Sequence, residues 1–346
     1  LEAYDDVEEA TELDSEERVA LVFKGNARDY FRLWIVNLCL TLFTLGLFSA
    51  WAKVRRKRYF YSHTELEGTP FEYLGNPIPI LKGRLIAALA LVLWYVGSRF
   101  FPSVLLLPFG GVALFFLPWV MVRTAAFNAR YSAYRNMTFH FNGSYRGAVD
   151  ALLRAALLAA VTCGLGYPWA FVIVRRYFVE RTSFGDVPGT YRARGGQLVG
   201  PFLVFALSAG IASSLFVATL TAGGNIETGV VRGIVASYGG YALVYGYLTA
   251  RLARVNWRET ALGPVEFFAD YRARDLMWIY ASNALAIIAS LGLLIPWATI
   301  RMYRYRIERL HVLRHGSLDV FAGTEQRVVA ATGAEVADLF DFDLSL

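Results

Sequence analysis

Cysteine is nearly absent from this chain of 346 residues: there are two, Cys39 and Cys163, both inside apolar runs. Free cysteine in that setting behaves as a small hydrophobe, so no disulfide framework is expected. Histidine is almost as scarce, and His63, His140, His311 and His315 make no zinc spacing with the cysteines. Asp and Glu are rare in the apolar runs, which argues against a proton relay through buried carboxylates. No GxxxxGK[ST], HExxH or GxSxG stretch occurs, and "GNARDY" and "GGNIETG" lack the spacing of a phosphate cradle. The sequence offers no catalytic residue, no metal site and no cofactor motif. The scattered acids, such as Glu65, Glu180 and Glu308, read as partners of neighbouring arginines.

What the chain has in plenty is apolar sequence. Hydrophobic residues make up 56%, with mean hydropathy +0.41. Long runs lie between charges at residues 33–52, 100–122, 155–174, 195–226, 233–250 and 276–300, with a shorter one at 85–98. Each long run suffices in length to cross about 30 Å of hydrocarbon. The alternating pattern of a membrane β-barrel is missing, and the polar stretch before the first run does not read as a signal peptide. The expected fold is an all-α polytopic membrane protein with internal repeats and short β-like segments in its cytoplasmic connections.

The repeats align on tryptophan. Trp51 has Arg55 at +4, Arg58 at +7, Tyr59 at +8 and Thr64 at +13; Trp169 has Arg176, Tyr177 and Thr182 at the last three places. Trp297 is followed by Arg301, Arg304 and Tyr305, with Leu310 where Thr would stand. Trp119 keeps Arg123 and Ser132, and the weakest copy puts Tyr247 before Arg251, Arg254 and Thr260. A Gly-containing turn and an aromatic strand-like piece follow most copies. Five units of about 19–68, 69–143, 144–189, 190–263 and 264–322 would form one membrane domain over 19–322, between acidic tails at 1–18 and 323–346.

Basic residues gather at 53–84, 123–154, 175–194, 251–274 and 301–314, which the positive-inside rule assigns to the cytoplasm. Seven simple transmembrane helices cannot place all five there. Four full spans plus three Gly-broken re-entrant hairpins can, with breaks at Gly46, Gly164 and Gly292, both termini cytoplasmic, and Asn37 and Asn283 as buried polar groups. The arginines at +4 and +7 are then candidates for anionic lipid headgroups, and the Trp and Tyr residues for the membrane interface. The competing structural reading has these arginines clamp carbonyls and acids of the next unit. Bilayer electrostatics explain the basic aromatic stretches with fewer assumptions than nucleic acid, so membrane lipids, and a second copy of the chain, are the expected partners.

The stretch "FRLWIVNLCLTLFTLGLFSAWAKVRRKRYFYSHTELEGTPFEYLGNP" resembles the YjgN-like family of bacterial inner-membrane proteins, a domain of unknown function. "GLGYPWAFVIVRRYFVERTSF" and "LGLLIPWATIRMYRYRIERL" look like the same signature. The resemblance implies a multi-pass protein of the cytoplasmic membrane and brings no catalytic residues. The repeats and Gly-broken segments point to a transporter or channel for an anionic or amphipathic solute, with a structural or lipid-organising membrane protein as the alternative.

Overall fold

The computed structural model describes residues 17–100, 102–135, 137–221 and 226–314. The two acidic tails fall outside them, apart from Glu17 and Arg18, which open the first strand. The helices come in pairs, and a strand hairpin follows each of the first four. The pairs are α1 (Ala27–Phe43) with α2 (Ser49–Ser62), α3 (Pro77–Phe100) with α4 (Pro102–Tyr131), α5 (Tyr145–Val161) with α6 (Tyr167–Glu180), α7 (Gly195–Thr221) with α8 (Ile226–Arg258), and α9 (Ala273–Ala289) with α10 (Ile295–Glu308).

Local chemistry sets the helix ends. Asn26 caps α1 by accepting from the Asp29 N–H at 2.8 Å, and Ser144 caps α5 by accepting from Gly147 at 3.1 Å. The first, third and last pairs then share one break. At the end of α1 the Gly46 N–H reaches the Thr41 carbonyl at 2.7 Å and the Leu45 N–H reaches Leu42 at 3.1 Å. Gly164 and Cys163, then Gly292 and Leu291, repeat both bonds. This is the Schellman pattern, whose left-handed C′ residue is usually glycine. Here it is Leu45, Cys163 or Leu291, at φ of 50 to 51°, while the glycine at φ 88 to 91° comes one place later. The hydroxyl of Thr44, Thr162 or Ser290 accepts from the N–H four residues on and completes the turn.

Tight turns join the strands of each hairpin. Glu67 and Gly68, at φ 51 and 72°, link β3 (Thr64–Leu66) to β4 (Thr69–Pro70), as the right-handed strand twist requires. The others are β6 (Ser132–Tyr134) with β7 (Met137–Phe141), β8 (Thr182–Phe184) with β9 (Val187–Tyr191), and β10 (Thr260–Leu262) with β11 (Val265–Ala269). With β1 (Glu17–Ala20), β2 (Val22–Phe23), β5 (Glu72–Tyr73) and β12 (Leu310–Arg314), one long sheet has the order β1-β12-β11-β10-β9-β8-β7-β6-β5, and a small one has β2-β3-β4, all pairs antiparallel. Both ends of the long sheet continue into the small one. β1 (Glu17–Ala20) runs through Leu21 into β2 (Val22–Phe23), and β4 runs through Phe71 into β5 (Glu72–Tyr73). The strands therefore close into a ring, sealed where β1 lies against β12 (Leu310–Arg314). Leu66, Tyr134, Phe184, Val265 and Val312, drawn from all the hairpins and the last strand, belong to one buried cluster.

This architecture corrects the all-α expectation. The strand-like pieces are not decoration on a helical bundle: they form two antiparallel sheets, and the fold is mixed α/β. Among the described residues a single stretch, Gly195–Thr219, is long and apolar enough to cross a membrane. Neither four spans with three re-entrant hairpins nor seven transmembrane helices is found among them. The multi-pass placement in the cytoplasmic membrane, with both termini inside, loses its support with them. Both functional expectations rest on that frame, so the transporter or channel reading and its lipid-organising alternative fall too. The physical reason lies in the breaks. Runs 33–52, 155–174 and 276–300 look continuous to a hydropathy window, yet each divides into a helix of 17 residues and one of 14. The run 233–250 lies in α8 but is thinned by glycine and tyrosine.

Candidate functional site

The repeated residues have structural partners that recur with them. Thr64, Ser132, Thr182 and Thr260 each donate a hydroxyl to the carbonyl four residues back, at 2.6 to 2.9 Å, closing the helix that ends there. Tyr59, Tyr177 and Tyr305 reach back to the residue before the first helix of their own pair. Their hydroxyls donate to the carbonyls of Asn26, Ser144 and Arg272 at 3.0, 2.6 and 3.4 Å. Burial pushes the phenols of Tyr59 and Tyr305 above the ordinary tyrosine range. These hydroxyls pin helix starts, a role the interface reading of the tyrosines did not contain.

The arginines at +7 reach forward instead. Arg176 donates to the Ala193 carbonyl at 3.0 Å, Arg254 donates to that of Tyr271, and Arg304 donates to that of Gly25 at 2.7 Å. The last contact links the final helix pair to the first. Arg176 and Arg304 also lie 3.9 and 3.8 Å from Glu180 and Glu308 one turn on. The arginines at +4 stack on the ring one turn back: Arg123 over Trp119 at 5.9 Å, Arg251 over Tyr247 at 5.7 Å and Arg301 over Trp297 at 5.2 Å. Arg55 departs from this and lies over Phe48 at 5.2 Å instead of over Trp51. Arg58 makes no contact of these kinds with a described residue. Trp51 is half-buried against Phe48, and Trp169 covers Gly195, where a Cβ would sit 2.4 Å from the indole.

One place gathers these elements into a site. An open cleft of about 760 Å³ lies between α9 and α10, with Ala27 of α1 at its edge. Arg301, Arg304, Trp297 and Tyr305, all singled out by the repeat, line it together with Arg274, Asp275, Trp278, Glu308 and Arg309. Asn283, only 7% exposed, sits behind. Its amide donates to the Ala298 carbonyl at 3.2 Å, and its oxygen accepts from Arg301 Nη1 at 3.1 Å. Ser282 Oγ accepts from the same nitrogen at 2.6 Å. Asn37 holds the corresponding place in the first pair, equally buried, yet its Oδ1 has no partner among the described residues. The structure thus brings together four of the repeat residues and leaves Arg55, Arg58, Arg123, Arg176, Arg251 and Arg254 elsewhere. Arg274, Trp278 and Arg309 were not read as site residues. The i, i+4 spacing of Arg274 and Trp278 is the signal that could have found the first two.

No solved structure matches this chain. Three related proteins carry the name "Inner membrane protein YjgN". The one from Salmonella typhimurium strain LT2 is 24% identical, over 86% of this chain and 89% of its own length. Those from Escherichia coli O157:H7 and strain K12 are 29% and 30% identical over 42% of this chain, so the alignment takes in 36% of each relative. The model of a family described as "Bacterial protein of unknown function (DUF898)" matches residues 18–339. That match takes in every described helix and strand but for the first residue of β1, and the chain belongs to this family of YjgN-like bacterial proteins.

Proposed function

We propose that the protein works at a membrane surface, with apolar tips seated among lipids and basic helix ends against anionic headgroups. The observation that carries this reading is the residue chosen for the helix breaks. A left-handed backbone costs a non-glycine residue about 1 to 2 kcal/mol, and glycine would avoid that cost. Leucine stands there instead, and Leu45 and Leu291 are each 95% exposed. Neither side chain packs inside the protein, so no burial within the fold offsets the strain. Phe43, Val161 and Leu165 extend the same exposed apolar tips. A shell of lipid offsets the strain, since each leucine side chain taken out of water contributes about 1.5 to 3 kcal/mol. Arg55 and Arg301 follow ten residues after the tip leucines, at the depth where a cationic fork meets phosphate.

Gly195–Thr219, apolar throughout and with no buried residue from Val199 on, supports the same reading. So do the relatives' names, which call those proteins inner membrane proteins. The test replaces the three left-handed residues by asparagine, which tolerates that backbone. Leu45→Asn, Cys163→Asn and Leu291→Asn together should leave the fold intact by circular dichroism and sharply reduce retention on phosphatidylglycerol vesicles. Retention at the level of the parent protein would overturn the proposal.

A further inference from the structure

We infer that the cleft between α9 and α10 is a receptor for a phosphomonoester; the inference rests on the lipid-surface reading and names the ligand for one part of that surface. Arg301 is held before any ligand arrives. Its Nη1 is fixed by Ser282 Oγ and Asn283 Oδ1, and its face lies on Trp297 at 5.2 Å. The rest of the guanidinium fork carries no bond to a described residue and is free to donate to a planar pair of oxygens. Arg274 has no partner among the described residues either. Arg304 and Arg309 are engaged with Gly25, Glu308, Asp270 and Asp275, and so add field more than donors.

The four guanidiniums of the lining, with Arg272 beside them, stand against the carboxylates of Asp275, Glu308 and Asp270, which pairs with both Arg309 and Arg272; five against three leaves two net positive charges at about 760 Å³ of open cleft. A phosphomonoester carries about −1.5 to −2 at neutral pH, whereas a phosphodiester carries one charge. The charge balance therefore favours the monoester. Trp278 and Trp297, exposed by 66% and 38%, provide apolar walls for the carbon atoms bearing the phosphate.

The other broken pairs do not repeat this arrangement. In the first, Arg55 has turned onto Phe48 and the place of Trp278 is taken by Arg32, which lies 3.9 Å from Asp29. In the third, Ile173 stands where Arg301 would be and Asp150 where Trp278 would be. The receptor belongs to the last pair alone.

Phosphatidic acid presents the monoester on a lipid, and glycerol 3-phosphate presents it free. Full-length protein is offered vesicles containing phosphatidic acid or phosphatidylglycerol at equal surface charge, and separately glycerol 3-phosphate followed by tryptophan fluorescence. Preference for phosphatidic acid by about tenfold, abolished by Arg301→Gln or Arg274→Gln while phosphatidylglycerol retention persists, is the expected result. Saturable binding of glycerol 3-phosphate that responds to the same substitutions, without a vesicle preference, supports the receptor with a soluble ligand. Equal retention on both vesicles with no response to glycerol 3-phosphate overturns the receptor and leaves the lipid-surface reading standing. Failure to bind either vesicle, with no response to glycerol 3-phosphate, sinks both.

Discussion

The first and last helix pairs are built on the same plan and hold their arginines differently. Each has a buried asparagine in its first helix, a leucine–glycine break, a tryptophan and an arginine one turn on. In α9–α10 the asparagine and the arginine meet at 3.1 Å. In α1–α2 the arginine lies over Phe48, and the oxygen of Asn37 is buried without a partner. The frame comes from the breaks and caps, which both pairs share. What differs is whether a serine stands beside the asparagine: Ser282 gives Arg301 a second acceptor, and its counterpart in the first pair is Val36. A conserved-looking motif can therefore carry a receptor in one copy and only its frame in another.

Exchanging the two asparagines should break this comparison most visibly. Asn283→Leu removes the acceptor that holds Arg301 and the added donor to the Ala298 carbonyl at once, at a cost of about 2 kcal/mol. Asn37→Leu removes an oxygen that already lacks a partner and should change stability by less than about 0.5 kcal/mol. Chemical unfolding in mild detergent measures both, and equal losses would mean the two sites are alike after all. A smaller effect tests the shared frame. Gly46→Ala and Gly292→Ala, at φ 91 and 90°, should each cost about 1 kcal/mol in the same assay, with the two values matching.

The smallest effect at neutral pH concerns Tyr303, which α10 lends to the first pair. Its ring lies 4.9 Å from Phe23 and 4.5 Å from Phe60, and its hydroxyl is 3.1 Å from that of Thr64. Burial pushes its phenol up to about 12, against a partial offset from the Thr64 hydrogen bond. The folded state then holds a proton that the unfolded chain gives up first, so the contribution is whole below pH 10 and is lost as pH rises towards 12. Tyr303→Phe should flatten that alkaline fall in melting temperature and change little at pH 7.

Much of the frame can be read from residues one to five places apart. Gly46, Gly164 and Gly292 stand out as interruptions in apolar runs, and the chain does turn there. The meaning given to those turns, re-entrant spans in a helical bundle, was wrong because the strand-like pieces do not reveal that they pair into sheets. They are two to five residues long, too short for alternation to register, and the pairings that join one hairpin to the next lie far apart in sequence. Thr64, Thr182 and Thr260 show the same limit in miniature. Their spacing from the tryptophan is plain in the sequence, while their bond to a carbonyl four residues back is visible only once the helix end is built. In the cleft, the half contributed by α10 lies inside the repeat and could be read. Arg274 and Trp278 lie on α9, outside the signature, and only the packing of the pair brings them to the site.

The ring has a consequence for the order in which the protein can be made. Glu17–Ala20 emerges from the ribosome before every other described element and pairs with His311–Arg314, among the last of the described residues. Arg304 grips Gly25 across a separation of 279 residues. The opening strand must therefore wait, with an unpaired edge, through synthesis of nearly the whole domain. At about 5 to 20 residues per second, that wait lasts tens of seconds. A chain truncated before β12 would keep its hairpins but expose two edges at once, and a chaperone or a second copy could pair with either one.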